Sequence, residues 1–427
     1  MTAAPLSPEP AATAVLSDRR TLVPWFAAHA VASFAAALGG STVYFYAKYQ
    51  LHTKLVDMLW MAACGGFIYI FSSIFGGRLA DRFGQKRVFI IAGCLAVPMF
   101  LIGYAAVARG SVMLLFLEVA MSNLIVSPMW PSVESALTRS RGRMKLTSRI
   151  TCYNLVWSCT CFLATFLTGS IAHVVSWGGV FLFCAMVQVV ALVIIVFIAV
   201  PQSMIGTHHV EDNPEDQAKS NAIRASGKSK TLLWMAWLSN SLAFVSANTL
   251  GPVMPALTLQ AGITSAAVAT AVGSVASLTR LIGFFFASVW TGWHYRVHWM
   301  LIFFCAMIVA TAGVLMARNI VVLVDTQIFL GLTWAMLYSG SLYYSMHLSH
   351  GSGENAGIHE AVIGVGTVIG PTLAALVGGP NSLPPKTAVL LSILVAGGCG
   401  LFGMAPRARG IAKIADSPAD ESGRSLP

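Results

Sequence analysis

Runs of about twenty apolar residues recur along the chain, separated by short polar breaks. A helix needs about 20 such residues to cross the hydrocarbon core of a bilayer. Soluble domains lack runs of this length, whereas 56% of this chain is hydrophobic and its mean hydropathy is +0.74. The sequence therefore predicts an all-α membrane protein with twelve transmembrane helices. These predicted spans lie near residues 22–46, 56–76, 87–108, 110–135, 149–172, 177–200, 231–257, 264–291, 297–317, 319–346, 355–379 and 384–405.

Basic residues are distributed unevenly between the alternate polar breaks. With both termini placed in the cytoplasm, the cytoplasmic segments contain 20 Lys and Arg residues and the outside loops contain 5. Loops rich in Lys and Arg stay inside, so this split predicts a multi-pass protein of the plasma (inner) membrane with both termini cytoplasmic. The net charge of +10 then reflects insertion and contact with the lipid bilayer. No nucleic-acid-binding motif accompanies it, and no nucleic-acid partner is expected.

Three polar segments divide the chain. Residues 1–21 form a predicted cytoplasmic tail that lacks the apolar core and cleavage site of a signal peptide. Residues 201–230 mix acidic and basic side chains that cannot bury a core, which predicts a cytoplasmic linker. An N-terminal six-helix bundle is therefore predicted over 22–200, a C-terminal six-helix bundle over 231–405, and a second cytoplasmic tail over 406–427.

A cluster of charged residues lies in the break between the second and third spans, at residues 76–88. Five of its thirteen residues are charged, in a chain where only 10% are. The cluster resembles the loop motif G-x-L-x-D-R-x-G-R-K of the major facilitator superfamily, although Gln85 replaces a basic residue. The matching positions, together with the adjacent Arg87, are the predicted cytoplasmic gating motif: Gly77, Leu79, Asp81, Arg82, Gly84, Lys86 and Arg87.

The resemblance to this superfamily extends over nearly the whole membrane portion. It implies two six-helix bundles related by a pseudo-two-fold axis along the membrane normal, which rock around a central site at mid-membrane. The corresponding loop in the second half, residues 291–298, keeps Gly292 and Arg296 but has no acidic residue. A Gly-x-x-x-Gly-Pro pattern, which drug/proton antiporters of the family carry in span 5, occurs here at 366–371 in span 11. This pattern also predicts a small-residue packing face with a kink.

Several amides and aromatic side chains fall in the spans that line the central cavity in the family. Aromatic faces with amide donors and acceptors suit an organic solute that has apolar and polar parts. In the seventh span, Pro252 and Pro255 are expected to open the backbone and free carbonyl groups for a ligand or a gate. Arg280, the basic residue of span 8, is added to this set. The candidate substrate-binding residues are then Asn123, Trp130, Asn154, Trp157, Asn240, Asn248, Arg280, Trp334 and Tyr338.

Ionisable residues inside a bilayer are costly, so each is a functional candidate. Arg280 is the one basic residue within a predicted span, and its expected partner is either an anionic group of the solute or Glu360. The candidate proton-coupling residues are Glu118, Glu360, His359 and His29. Asp325 lies about one and a half turns into its span, where it is either a proton carrier or, as the favoured interpretation, a carboxylate that reaches the membrane surface. Glu134 is expected to pair with basic residues of the cytoplasmic loops.

Other classes of protein lack support in the sequence. His359-Glu360 lacks the second histidine of a His-Glu-x-x-His metal site, and no Walker-type phosphate loop is present. The His294/His298 and His347/His350 pairs lack accompanying acids or thiols, so neither a metal nor a cofactor is expected. The prediction is a non-enzymatic secondary active transporter, functional as a monomer, that moves a small organic solute by alternating access with proton coupling. A drug or metabolite efflux antiporter is the alternative, and a non-transporting sensor or embedded enzyme is the least favoured.

Overall fold

The computed structural model describes residues 10–138, 146–197, 221–223, 225–347 and 353–416, and within these ranges the regular elements are all helical. The helices are α1 (Pro10–Tyr49), α2 (Leu55–Phe83), α3 (Gln85–Arg109), α4 (Val112–Val126), α5 (Met129–Thr138), α6 (Leu146–Val196), α7 (Ser229–Gln260), α8 (Ala266–Gly273), α9 (Val275–Val289), α10 (Val297–Met316), α11 (Ile320–His347), α12 (Gly353–Leu376), α13 (Leu383–Met404) and α14 (Ile411–Asp416), with a 3₁₀ turn at Ala405–Ala408.

By length and composition, eleven helical segments in the described residues could cross a membrane. Two of these segments are interrupted, which the sequence prediction missed. The predicted span 110–135 is divided into α4 and α5 at Ser127-Pro128, because proline has no N–H to continue the helical hydrogen bonds. The predicted span 264–291 is divided into α8 and α9 at Ser274, whose hydroxyl donates to the Ala271 carbonyl at 2.7 Å.

The predicted fifth and sixth spans form one element, the 51-residue helix α6, with a non-helical residue at Ser176 (φ 68°, ψ 163°). At about 1.5 Å per residue this element is more than twice as long as a bilayer core is thick. Its second arm packs antiparallel to α3, since Phe181 contacts Gly103 and Leu192 contacts Gly93. The first arm runs the other way, from the end of α5 towards α8. The chain therefore reverses its direction at Ser176.

Buried apolar side chains form two large clusters, one in each half of the sequence. The N-terminal cluster contains residues from Leu22 to Ile195. The C-terminal cluster contains residues from Ile223 to Ile411, joined by Phe45, Leu55 and Leu59 of the first half. Each half therefore has a core of its own, and α1 and α2 contribute to both.

Glycines of α2 and α12 allow the two halves to approach closely. A Cβ at Gly66 would lie 2.9 Å from the carbonyl carbon and oxygen of Thr367. On α12, Gly364 meets Ile70 of α2, whereas Gly366 and Gly370 meet the backbone of α7. The predicted small-residue packing face of this span is confirmed.

The turn between α2 and α3 depends on one glycine. Gly84 has φ +91° and ψ 140°, a conformation that side-chain-bearing residues rarely adopt. Its N–H donates to the Ala80 carbonyl at 2.9 Å and ends α2. Two residues further on, the Lys86 ammonium donates to the Val196 carbonyl at 3.0 Å, at the C-terminus of α6, where a positive charge is favoured. The turn is thus joined to the end of the N-terminal half.

Replacement of Gly84 by alanine is expected to destabilise the protein by roughly 1–2 kcal/mol, because Cβ is disfavoured at positive φ. The strain comes from the backbone alone, since nothing lies within 4 Å of the new Cβ. Gly77→Ala is the matched control, because this glycine is helical and its added Cβ would meet only Pro131, at 3.8 Å. Thermal unfolding of the two variants measures the difference, and equal melting temperatures would contradict the role of φ.

Helical structure extends into both predicted tails. Helix α1 begins at Pro10, inside the predicted tail 1–21, and α14 and most of the 3₁₀ turn lie inside the predicted tail 406–427. The predicted linker 201–230 lies outside the described residues except for 221–223 and 225–230. In the gating motif, Leu79, Asp81, Arg82 and Arg87 are exposed, with the Arg82 guanidinium 5.3 Å from the ring centroid of Phe83.

Candidate functional site

A cavity of about 320 Å³ lies between the two halves, within the size range of small-molecule sites. Helices α1, α2, α4, α5 and α6 form one side of it, and α7, α11 and α12 form the other. Its walls combine seven aromatic side chains, two acids and two amides with glycines and small apolar groups. The lining residues are Tyr44, Ala62, Gly65, Gly66, Tyr69, Val119, Asn123, Trp130, Glu134, Tyr153, Trp157, Phe244, Ala247, Asn248, Gly251, Pro252, Tyr338, Glu360, Ile363 and Thr367.

Two carboxylates face this cavity, and each is held by a tyrosine. The Tyr69 hydroxyl of α2 donates to Oε2 of Glu360 on α12 at 2.8 Å, which joins the two halves directly. The Tyr153 hydroxyl donates to Glu134 within the first half. Burying a charge is tolerated only where it is paired or hydrogen-bonded. Among the described residues, these carboxylates have tyrosine partners and no basic partner.

The aromatic side chains form a continuous wall from α6 to α7 and α11. The ring centroids of Trp157 and Tyr338 are 6.0 Å apart, and those of Phe244 and Tyr338 are 6.2 Å apart. Two buried histidines support the tyrosines from behind. The His29 ring stacks on Tyr153 at 4.6 Å, and the His359 ring meets Tyr338 edge-on at 5.3 Å.

The two amides of the cavity present their oxygens to it. The Asn123 Nδ2 donates to the Val119 carbonyl at 2.9 Å, and the Asn248 Nδ2 donates to the Phe244 carbonyl at 3.1 Å. A backbone carbonyl can only accept, so each amide nitrogen must face its own helix. The Oδ1 atoms are then left as acceptors for a ligand.

The two prolines of α7 add to this acceptor-rich surface. Pro252 and Pro255 have no N–H, so the carbonyls of Asn248 and Gly251 lose their usual helical partners. Asn248, Gly251 and Pro252 all line the cavity, and open space surrounds the position that a Cβ would take at Gly251. The structure thus places Pro252 of the seventh span at the cavity wall.

Arg280 lies behind this wall and does not line the cavity. Its guanidinium carbon is 4.4 Å from the ring centroid of Trp157, a distance typical of a cation–π contact. Its Nε atom has no hydrogen-bond partner among the described residues. Glu360, the acid that the sequence suggested as a partner, is instead hydrogen-bonded to Tyr69. Within the described part of the chain, no ion pair joins Arg280 to Glu360.

The other candidates from the sequence are divided between the cavity and its surroundings. Asn123, Trp130, Trp157, Asn248, Tyr338 and Glu360 line the cavity. The remainder are buried or partly buried outside the lining: His29, Glu118, Asn154, Asn240, Trp334 and His359. His29 and His359 each contact a serine, at 3.4 Å for Ser33 and 3.0 Å for Ser341. Within the described residues, Oε1 of Glu118 and both amide atoms of Asn240 have no hydrogen-bond partner.

Sequence reasoning missed four polar residues of the site and misplaced a fifth. Tyr44, Tyr69, Tyr153 and Thr367 line the cavity, but no charge or motif distinguishes them in the sequence. Glu134 was expected to pair with cytoplasmic loops, whereas it faces the cavity and accepts from Tyr153. The signal for Glu134 is its position six residues after Pro128, within a helix that continues to Thr138.

Hydrogen bonds join the two halves at the end of the molecule that carries the α1–α2, α7–α8 and α12–α13 turns, here named the far end. The Tyr49 hydroxyl bonds to the Ile263 carbonyl at 2.7 Å and to Thr258 Oγ1 at 3.1 Å. The first N–H groups of α2 lack helical partners. Those of Leu55 and Val56 donate to Asn381 Oδ1 and the Pro380 carbonyl, both at 3.0 Å.

No group of three or more His, Cys, Asp or Glu side chains in the described residues could hold a metal ion. The eight cysteines are free thiols. Fold and site together define a multi-helical membrane protein with a polar–aromatic cavity between two halves.

Comparison with known proteins assigns the family. The model of the Major Facilitator Superfamily matches residues 25–371, and the chain belongs to this superfamily. No curated protein matches the sequence.

Solved structures share the fold at low sequence identity. A peptide transporter POT in complex with sulfate has a TM-score of 0.69 at 15% identity, covering 91% of this chain and 95% of that one. The nucleoside transporter NupG has a TM-score of 0.60 at 13% identity, covering 90% and 98%. A bacterial homolog of the human lysosomal transporter Spinster, inward-facing and unoccupied, has a TM-score of 0.64 at 12% identity, covering 95% and 98%.

Proposed function

We propose that this protein is a secondary active transporter that moves a small organic solute across the plasma (inner) membrane by alternating access, coupled to protons. The observation that carries the proposal is the cavity shared by both halves, in which the Tyr69–Glu360 hydrogen bond connects one half to the other. The fold of peptide and nucleoside transporters supports the solute class. A transporter of this kind acts as a monomer and needs neither a cofactor nor enzymatic chemistry.

The topology that we propose has twelve crossings in two six-helix bundles. The reversal of α6 at Ser176 supports two crossings within that element, so that eleven helical segments provide twelve spans. The two apolar clusters support one bundle for each half. With an even number of crossings, the two termini lie on the same side, and the basic loops favour the cytoplasm.

We further propose that the structure represents an inward-facing state, with the far end on the outside. The hydrogen bonds of Tyr49, Leu55 and Val56 close the far end. Opening the cavity to the outside requires that these bonds break. The gating motif around Asp81 then acts at the opposite end, where it closes the cytoplasmic side in the outward-facing state.

Replacement of Tyr49 by phenylalanine is expected to shift the population towards the outward-open state. The change removes the hydroxyl that bonds Ile263 and Thr258 and leaves the ring. Each lost bond is worth about 1 kcal/mol, so the outward-open fraction should rise roughly 5- to 30-fold. Distances between spin labels at the exposed positions Lys54 and Thr264 report the opening of the far end.

Tyr104→Phe is the control for this prediction, because Tyr104 is 43% exposed on α3 and takes no part in the far-end bonds. Its label distances should equal those of the wild type. Identical distance distributions for Tyr49→Phe and Tyr104→Phe would show that the hydroxyl does not hold the far end closed.

Transport itself is tested in proteoliposomes that contain a trapped pH-sensitive dye. Dialanine, uridine, phenethylamine and 3-phenylpropanoate are added one at a time, and proton movement is recorded. At least one solute should move protons in liposomes with protein and none in protein-free liposomes. If none of the four moves protons, or if an imposed sodium gradient rather than a pH gradient drives uptake, proton coupling fails.

An efflux antiporter for drugs or metabolites is the second candidate function. The acidic and aromatic lining of the cavity favours it, since such walls accept varied organic ligands. Inside-out vesicles distinguish the two directions, because an exporter concentrates its solute in them when their lumen is acidic.

A further inference from the structure

The charged side chains of the described cavity wall are all acidic. Glu134 and Glu360 both face the cavity, and no Lys, Arg or His side chain of the described residues lines it. Arg280 is a nearby cation, but it lies behind the cavity wall, with its guanidinium against the ring of Trp157. An anionic solute entering this space would meet two carboxylates and no cation in direct contact.

The hydrogen bonds of the two carboxylates leave room for a further donor. Each accepts from one tyrosine, at Tyr69 for Glu360 and at Tyr153 for Glu134. A carboxylate has about four lone-pair positions, so most of its acceptor capacity is unused by these bonds. A buried carboxylate that lacks a basic partner is energetically costly, and a ligand cation would supply that partner.

The rest of the wall suits the same ligand. Aromatic faces attract cations, and ammonium groups in proteins are often held by aromatic rings. Trp157 already binds one guanidinium, that of Arg280, at 4.4 Å, and Tyr338 lies 6.0 Å from Trp157 at the cavity. The Oδ1 atoms of Asn123 and Asn248 add acceptors for the N–H groups of an amine.

We propose that the solute is an organic cation, a protonated amine or quaternary ammonium compound with an apolar body, bound between Glu134 and Glu360. This assignment deepens the proposed transport function and rests on it. The ammonium group contacts the two carboxylates, and the apolar body packs against the aromatic wall of Trp157, Phe244 and Tyr338.

The same carboxylates provide the exchange with protons. A carboxylic acid that meets the ammonium ion R–NH₃⁺ releases H⁺ and becomes the carboxylate of the ion pair, so that charge and atoms balance. Cation and proton therefore compete for one place, which is the requirement for antiport. Other ionisable groups near these acids are the cavity tyrosines and the side chains behind them: Tyr44, Tyr69, Tyr153, Tyr338, His29, His359 and Arg280.

The test measures binding to the purified full-length protein with probes of similar size and different charge. These probes are phenethylamine and benzyltrimethylammonium as cations, 3-phenylpropan-1-ol as a neutral compound and 3-phenylpropanoate as an anion. The cations should raise the melting temperature and release protons into weakly buffered solution, whereas the neutral and anionic probes should do neither. Because partitioning into detergent depends on the charge of the probe, each probe is compared between the wild type and variants, for which the partitioning is the same.

Variants then locate the binding. Glu134→Gln and Glu360→Gln should each weaken binding of the cations by about tenfold or more and reduce proton release. Asp325→Asn is the matched control, because this acid also lies in a membrane helix but is exposed on the outer surface of the bundle. Its affinity should equal that of the wild type.

The outcomes separate the two proposals. Stabilisation by 3-phenylpropanoate alone, or equal stabilisation by all probes, overturns the cation assignment, and so does the absence of any effect of the cations. Transport of dialanine or uridine with protons, combined with no binding of the cations, would leave the transporter proposal standing and refute the substrate class.

Discussion

Replacement of Glu360 by glutamine is expected to reduce proton-driven transport to the rate of protein-free liposomes. The amide keeps the shape of the side chain and an oxygen that accepts from Tyr69, which bonds Glu360 at 2.8 Å. It cannot bind or release a proton, however, and it carries no charge to hold a cation. The measurement is the proton flux that a solute induces in dye-loaded proteoliposomes.

Two further variants serve as comparisons for Glu360→Gln. Asp325→Asn, at an exposed acid of α11, should transport at the wild-type rate. Tyr69→Phe removes the hydroxyl but keeps the carboxylate, so it should slow transport by a few-fold without abolishing it. Full proton-driven flux in Glu360→Gln would exclude this carboxylate from coupling and direct attention to Glu134.

Replacement of Gly66 by alanine should destabilise the protein, because this glycine lies where the backbones of α2 and α12 approach closely. The new Cβ would lie 2.9 Å from the Thr367 carbonyl group and 2.6 Å from its Oγ1, and backbone atoms cannot move aside. Overpacking of this kind costs about 1–3 kcal/mol. Because the contact joins α2 to α12, both thermal stability and transport should fall.

Gly40→Ala provides the control for helix propensity. Gly40 is also a helical glycine, but nothing lies within 4 Å of the Cβ that alanine would add. Alanine favours helix over glycine by up to about 1 kcal/mol, so this variant should be unchanged or slightly more stable. If Gly66→Ala is as stable as Gly40→Ala, the two halves do not need the close approach at this point.

Much of the fold follows from the sequence, because the thickness of the bilayer fixes the length of a crossing helix. The spans around 56–76 and 231–257, for example, lie inside the observed helices α2 and α7. The interruptions at Pro128 and Ser274 were not predicted, since hydropathy does not register a local loss of helical hydrogen bonds. At the reversal in α6, the sequence predicted a gap of four residues between the fifth and sixth spans. In the structure, Ser176 alone leaves the helical conformation.

The candidate site was less predictable, because a cavity is made by the faces that helices turn towards one another. Six of the polar and aromatic candidates line it, among them Trp157 and Asn248. The tyrosines that hold the acids were missed, since a tyrosine in a membrane helix is as often an interface anchor. The suggested pairing of Arg280 with Glu360 relied on similar depth alone. Depth does not reveal that Trp157 lies against the arginine.

The bond between Tyr69 and Glu360 has a consequence for the energetics of the whole cycle. It exists only while α2 and α12 remain together at this level, so a conformation that parts them binds protons at Glu360 with a different affinity. By thermodynamic reciprocity, proton occupancy must then shift the balance between conformations by the same factor. A hydrogen bond to a charged group is worth about 1.5–3 kcal/mol, which corresponds to a factor of roughly 10 to 150. The Tyr69 hydroxyl thus sets an upper bound on the free-energy coupling, at this contact, between protonation of Glu360 and the conformational equilibrium.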